Sequence, residues 1–249
     1  MTGEPPTVPT KPGWELLEQY KAPEDMPRWE GDRQAFLLGF RGRHAGGTVV
    51  LLGTGPSIGS LELQRLDRYV TIGANGIGHV YQPTYYLICD PFIYGLHKDV
   101  FLGSSSTRIL SSFTAGECDV WMYYRREDAI GLDRDVIYHA ENTGFVMLSM
   151  AYVMGASRIA IAGYDGYDPS RQAGGFHCYP EQDVEAQRVR YEWQGRNGVE
   201  KAMLMRRGFE HARRRAEADG VEIVLLTPSW FIGDLFPLVS LDELHPQRR

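Results

Sequence analysis

The feature that most restricts the fold of this chain is a series of short apolar runs, most of them closing on small or polar residues. Thr48–Leu52 runs into Gly53-Thr54-Gly55-Pro56-Ser57, residues 69–73 into Ala74-Asn75-Gly76, and Tyr85–Ile88 into Cys89-Asp90-Pro91. Arg158–Ala162 runs into Gly163-Tyr164-Asp165-Gly166-Tyr167, and residues 221–226 into Thr227-Pro228-Ser229. Weaker runs lie at 108–110, 120–124 and 136–138. A strand with one wet face alternates apolar and polar residues, whereas a continuous apolar run suits a strand covered on both faces, as in a parallel sheet. Helical patterns fall between several of these runs. Residues 145–155 are apolar on nearly every side and predict a buried helix. Over 200–219, Ala202, Met205, Phe209, Ala212 and Ala216 recur at spacings of three and four, the stripe of an amphipathic helix, and Gly220 supplies its stop. The alternation predicts an α/β fold: a largely parallel, doubly wound, Rossmann-type sheet with helices on both faces.

A chain of 249 residues can bury such a core without disulfides or a structural metal. Residues 1–12, rich in Pro and Thr, read as a mobile tail. Residues 13–47, with a helical stretch near 34–40, read as an N-terminal helical cap, its placement over the site left open. Residues 48–249 read as the α/β domain, with a lid at 166–198. The net charge of −6 excludes a general nucleic-acid binder, which needs a basic surface, but not a local pocket for one phosphate. Cys89, Cys118 and Cys178 form no CxxC pair, so neither a zinc site nor a disulfide framework is expected, and a reducing, cytoplasmic setting is the simplest reading. The first residues lack a signal-peptide pattern, and no apolar run approaches the ~20 residues of a membrane span. Peripheral membrane contact and homo-oligomerisation stay open.

Polar and glycine-rich residues gather at the carboxyl ends of the strands, the edge where open α/β sheets bind ligands. In Gly53-Thr54-Gly55-Pro56-Ser57 the glycines would let backbone N–H groups approach an anion, with a helix beginning near Ser57 or Ile58 pointing its positive end at the ligand. The same residues can form a plain turn with Ser57 as N-cap. They make neither a Walker A loop nor a full GxGxxG fingerprint. Asn75 offers an amide to read a base or sugar, or a turn residue that tolerates left-handed geometry. Asp90 can bind ribose hydroxyls or a metal, or cap a turn before Pro91. Asn142-Thr143-Gly144 opens the buried helix as a second anion or sugar site, or as its N-cap. In the segment Gly163 to Asp168, the hydroxyls of Tyr164 and Tyr167 can donate to phosphate oxygens, and Asp165 can hold a hydroxyl or metal. His177, after Gly174-Gly175-Phe176, is a candidate general base, since an unperturbed imidazole titrates near ~6.5, or a surface histidine. Arg206, Arg207, Arg213, Arg214 and Arg215 crowd one helix, as its solvated face or as an anion-binding contribution.

Taken in order, Gly-Thr-Gly-Pro-Ser, Ala-Asn-Gly, Asn-Thr-Gly-Phe, Gly-Tyr-Asp-Gly-Tyr and the closing Leu-Thr-Pro-Ser-Trp-Phe resemble the bacterial sialyltransferase-like superfamily. That set includes small α2,3-sialyltransferases, flagellin-glycosylation proteins and archaeal 6-hydroxymethylpterin pyrophosphokinases. The resemblance runs from about Thr48 to Leu244. It implies a GT-A-like domain that binds a nucleotide through Gly53, Gly55, Pro56, Ser57 and Asn75. Thr143, Gly144 and Tyr167 would hold the phosphate, with His177 as base. The implied activity is sugar transfer from a CMP- or other NDP-linked donor to an acceptor hydroxyl, with no tightly bound cofactor. His177 or a carboxylate, with Asp165 as the catalytic candidate, would deprotonate that hydroxyl. Two alternatives stand beside it. One is a pyrophosphokinase-like phosphotransferase using ATP and Mg²⁺ held by Asp90, Asp165 or Asp168. The other is a non-catalytic nucleotide-binding protein of the same fold.

Overall fold

The computed structural model describes residues 35–125, 131–166, 178 and 198–244. Its elements in chain order are α1 (Ala35–Phe40), β1 (Thr48–Leu52), β2 (Val70–Ala74), β3 (Tyr85–Ile88), α2 (Pro91–Leu102), β4 (Thr107–Ser111), β5 (Val120–Met122), α3 (Thr143–Val153), β6 (Arg158–Ala162), α4 (Gly198–Ala218) and β7 (Glu222–Leu225). The strands form a 7-stranded sheet in the order β5-β4-β3-β2-β1-β6-β7, and each neighbouring pair is parallel. The α/β, doubly wound architecture read from the apolar runs is present.

Alternate residues of each strand serve opposite faces. Val49, Leu51, Ile72, Leu87, Ile109, Ile159, Ile161 and Ile223 join the side chains of α1, α3 and α4 on one face. Val50, Leu52, Tyr86, Ile88, Leu110, Ala160 and Val224 join Leu66, Ile77, Tyr94 and Phe101 on the other. Both faces being dry explains why the strands lack polar alternation. Helix α3 is buried from Phe145 to Val153, held between the sheet and α4. Each such fully buried Val, Leu, Met or Phe contributes about 1.5–3 kcal/mol of transfer free energy.

Two expectations change. Residues 136–138 form no strand; Tyr138 makes one isolated bridge to Arg125 and donates its N–H to Ser149 Oγ of α3 at 3.0 Å. The segment is captured by a helix side chain instead of a sheet edge. After β1 the chain makes a five-residue 3-10 turn, Pro56–Ser60, in place of a helix with a dipole of useful length. Gly59 and Ser60 are poor helix formers and stop it. The described part of the N-terminal cap, 35–47, lies at the sheet edge opposite the polar loops. Gly42, His44 and Gly46 donate to the carbonyls of Val153, Met154 and Gly155 at the far end of α3. Phe36 and Phe40 stack at 4.3 Å, and Phe40 packs edge-on against Tyr85 at the start of β3.

Candidate functional site

From β1 the chain steps outward to β5, then returns to place β6 on the other side of β1. The carboxyl ends of β1 and β6 therefore flank the point where strand order reverses, the crevice at which such sheets bind ligands. The loops that leave these two strands are locked together. The N–H of Gly53 donates to Ala162 O at 2.9 Å and that of Gly55 to Gly163 O at 2.8 Å. The N–H of Ser57 donates to Asp165 Oδ2 at 2.8 Å, and the Ser57 hydroxyl donates to Asp165 Oδ1. Ser57 Oγ also lies 2.9 Å from Thr227 Oγ1, which accepts the N–H of Gly163 at 2.9 Å.

This geometry explains the glycines. A Cβ on Gly53 would sit 2.3 Å from the carbonyl oxygen of Gly163, and one on Gly55 would sit 2.6 Å from the Asp165 carboxyl carbon. Gly163 itself has φ +66°, a left-handed conformation that disfavours a side chain. The amides of Gly53, Gly55 and Ser57, read as a phosphate cradle, thus already have acceptors inside the protein, and the anion nearest Ser57 is Asp165. Pro56 is exposed, Thr54 is half-buried, and the Thr54 carbonyl accepts the N–H of Cys178 at 2.8 Å. Burial, then the nearby Asp165 carboxylate, push the Cys178 thiol up to about 11.

On the β2 side, Asn75 has φ +57° and its side-chain Oδ1 is buried with no partner among the described residues. Its backbone carbonyl is held by the Tyr86 hydroxyl at 2.5 Å. Asp90 is the N-cap of α2; Oδ1 accepts the N–H groups of Phe92 at 2.8 Å and Ile93 at 3.3 Å. The turn-capping role open to Asp90 is therefore realised.

The N-terminus of α3 opens on the same edge. Asn142 is its N-cap, with Oδ1 accepting the Phe145 N–H at 3.1 Å. The first amides of a helix have no carbonyl within it. With Phe145 capped, those of Thr143 and Gly144 remain for other acceptors. The Thr143 hydroxyl interacts with the Cys89 thiol at the end of β3, where burial raises the thiol well above its usual range. Ala140 and Glu141, just before the helix, have φ +41° and +55°. Such non-glycine residues cost of order 1–3 kcal/mol each and cluster at ligand clamps.

Tyr164 closes the other side of this helix end. A Cβ on Gly144 would stand 2.3 Å from Tyr164 Cε2, so only glycine admits the ring there. The ring packs against Phe209 at 5.1 Å and Phe231 at 6.2 Å. Its hydroxyl is buried and has no partner among the described residues. Burial pushes the phenol far above its usual value, so it stays protonated, a donor in waiting.

The edge thus gathers Gly53 to Ser57, Asn75, Asp90, Asn142 to Gly144, Gly163, Tyr164 and Asp165. Tyr167, Asp168 and His177 lie outside the described residues, as does most of the lid at 166–198. Of the carboxylates considered for Mg²⁺, Asp90 caps a helix and Asp165 engages Ser57. Among the described residues no three His, Cys, Asp or Glu side chains converge as a metal-binding set. Nor is any described helix long and apolar enough to cross a membrane. Two residues were not singled out from sequence: Thr227, whose signal was its place at the end of the last strand, and Cys89, which carried none beyond the neighbouring Asp90.

No protein-family model matches the sequence, and no curated protein matches it. Among solved structures, the sialyltransferase CstII from Campylobacter jejuni, in complex with the substrate analogue cytidine-5′-monophosphate, is similar at 10% identity with a TM-score of 0.47, over 78% of this chain and 85% of that one. The α/β assignment stands on the sheet itself.

Proposed function

We propose that this protein is a glycosyltransferase-like enzyme that binds a nucleotide-sugar donor across the carboxyl edge of its sheet. One observation carries the reading. The amino end of a buried helix and the ring edge of Tyr164 meet at Gly144, beside the point where strand order reverses, and the hydroxyl of that ring is buried with no partner among the described residues. Burying a hydroxyl without a partner costs about 1–3 kcal/mol, which a bound acceptor such as a phosphate oxygen would recover.

In this reading the amides of Thr143 and Gly144 and the hydroxyls of Tyr164 and Tyr167 hold the donor phosphate. Asn75, whose amide oxygen is likewise buried with no partner among the described residues, reads the nucleoside. Asp165 braces the β1 loop through Ser57 and so shapes the wall formed by Gly53, Thr54, Gly55 and Pro56, with Gly163 behind it. Asp90 and Asn142 act by capping the helices that border the pocket. His177 takes the proton of the acceptor hydroxyl as the acceptor oxygen bonds to the sugar carbon. The bond from that carbon to the phosphate oxygen breaks, and the departing negative charge is held by the helix end.

The test is thermal unfolding with CMP, UDP, GDP and ATP, each with and without Mg²⁺. A ligand at a hundred times its Kd stabilises by about 2.7 kcal/mol, so the true nucleotide should stand out. No response to any of them sinks the reading. Stabilisation by ATP in the presence of Mg²⁺ alone would turn it to phosphotransfer. Binding without transfer to any supplied acceptor would leave a binding protein.

A further inference from the structure

The loop after β7 is held more firmly than a connection requires. Ser229 Oγ accepts the N–H groups of Phe231 at 3.3 Å and Ile232 at 3.2 Å. Ile232 is completely buried. Arg206 of α4 donates to the Phe231 carbonyl at 2.7 Å and to both carboxylate oxygens of Asp234. Gly233 has no room for a side chain, since a Cβ would lie 2.1 Å from the Ser229 carbonyl oxygen.

What this pinned loop displays is Trp230, 49% exposed. A lone exposed apolar residue on a mobile loop needs no explanation. A half-exposed indole on a loop fixed from three sides is different, because its ordering is already complete before any ligand arrives. Trp230 also has a defined place. Its ring meets Phe231 edge-on at 5.9 Å, and Phe231 in turn packs on Tyr164. Gly166, at φ +81°, lies against it: a Cβ there would come 3.0 Å from the indole Cε2. Gly166 directly follows Asp165, the partner of Ser57.

Trp230 follows β7, so it stands on the opposite flank of the β1–β6 crevice from Asn75 after β2 and Asp90 after β3. Resting on the reading above, with the nucleoside toward Asn75 and the phosphate at α3, the flank left for the acceptor is the one that carries Trp230. We propose that Trp230 is an acceptor platform, its exposed indole face stacking on the apolar C–H face of an acceptor sugar ring. The electron-rich face of an indole attracts such polarised C–H groups, and stacking needs no further ordering of the loop.

The test uses the full chain and the W230F variant. Subtracting the emission of W230F from that of the wild type isolates Trp230 from the other four of the five tryptophans. Both proteins are titrated with the methyl glycosides of galactose, glucose, mannose and N-acetylglucosamine at millimolar concentration, and separately with CMP. The expected result is that at least one glycoside quenches the difference signal while CMP leaves it unchanged. Loss of response to every glycoside overturns the proposal. So does quenching by CMP alone, which would make Trp230 a base-stacking residue. Saturation-transfer NMR on the unaltered protein answers the same question without a variant: the ring protons of one glycoside face should be saturated from the aromatic region, and their silence counts against the platform. A nucleotide-induced melting shift of equal size in wild type and W230F keeps the donor reading separate. Its absence in both removes that reading while a glycoside-specific quench still stands.

Discussion

The N–H of Ser57 donates to the Asp165 carboxylate at 2.8 Å across 108 residues of chain, and the Ser57 hydroxyl donates to the other oxygen of the same group. A serine hydroxyl carries one proton. With that proton on the bond to Asp165, the Thr227 hydroxyl must donate to Ser57 Oγ, while Thr227 Oγ1 accepts from Gly163. The result is one directed chain from the β6 loop through β7 to the β1 loop and back. Asp165→Ala should cost about 1–3 kcal/mol, because it strands two donors. Ser57→Ala should cost less, and the double variant less than the sum, with a coupling of about 0.5–3 kcal/mol. Urea denaturation of the four proteins measures it; strictly additive effects would break the proposed chain.

Two glycines of the same stretch should behave oppositely. A Cβ on Gly53 meets backbone, the carbonyl of Gly163 at 2.3 Å, which cannot swing aside as a side chain can. Gly53→Ala should lose about 1–3 kcal/mol or more through overpacking. Gly59 has nothing within 4 Å of such a Cβ. Gly59→Ala should be neutral or gain about 0.4–1 kcal/mol by restricting the unfolded chain. Melting temperatures of the two variants suffice to compare them.

Tyr164→Phe separates stability from binding. Removing a buried hydroxyl that has no partner among the described residues should leave the ligand-free protein as stable as the wild type, or more stable by up to about 1–3 kcal/mol. The same change should reduce the melting shift produced by the nucleotide that binds. An equal shift in both proteins would take Tyr164 out of the site.

Acid should destabilise the fold through its histidines. Burial, then the charge of Arg43, holds the His44 imidazole below its ordinary value, and burial does the same at His79. Protonation therefore favours the unfolded chain. The stability these residues contribute is complete above about pH 6.5, the unfolded value, and is lost as pH falls through the lower folded value. His44→Asn, which abolishes titration beside Tyr85, should flatten that dependence. Urea midpoints at pH 7.5, 6.5 and 5.5 check the slope; identical slopes in the two proteins would contradict it.

The thiols should be slow to react. Burial raises Cys89 well above the usual range and takes both Cys118 and Cys178 up to about 11. Since the thiolate is the nucleophile, disulfide reagents at pH 7.5 should modify the folded protein roughly a hundredfold more slowly than free cysteine. Addition of urea should release all three. Rapid labelling of any one in the native protein would show it to be more accessible than this packing allows.

Local pattern was enough for the sheet and for the edge on which the candidate residues gather. Thr48–Leu52, Tyr85–Ile88 and Arg158–Ala162 form strands over the bounds their apolar runs suggest, because burial on both faces leaves its mark on each run separately. Asn142 before α3 was legible for the same reason, since a cap acts within its own helix, whereas Asp90 was legible only as a turn residue and the helix it caps, α2, was not read from the sequence. Only the tertiary structure decided where the amides of the Gly-Thr-Gly loop bond. Its amides find the carbonyls of Ala162 and Gly163 and the carboxylate of Asp165, partners set by which strands are neighbours, and strand order is a property of the whole chain. The same holds for residues 136–138, drawn to Ser149 of α3 instead of a strand, and for Tyr164, whose ring packs among Gly144, Phe209 and Phe231 and whose hydroxyl has no partner among the described residues. Sequence specifies elements through interactions a few residues long; the site depends on contacts between loops that only folding brings together.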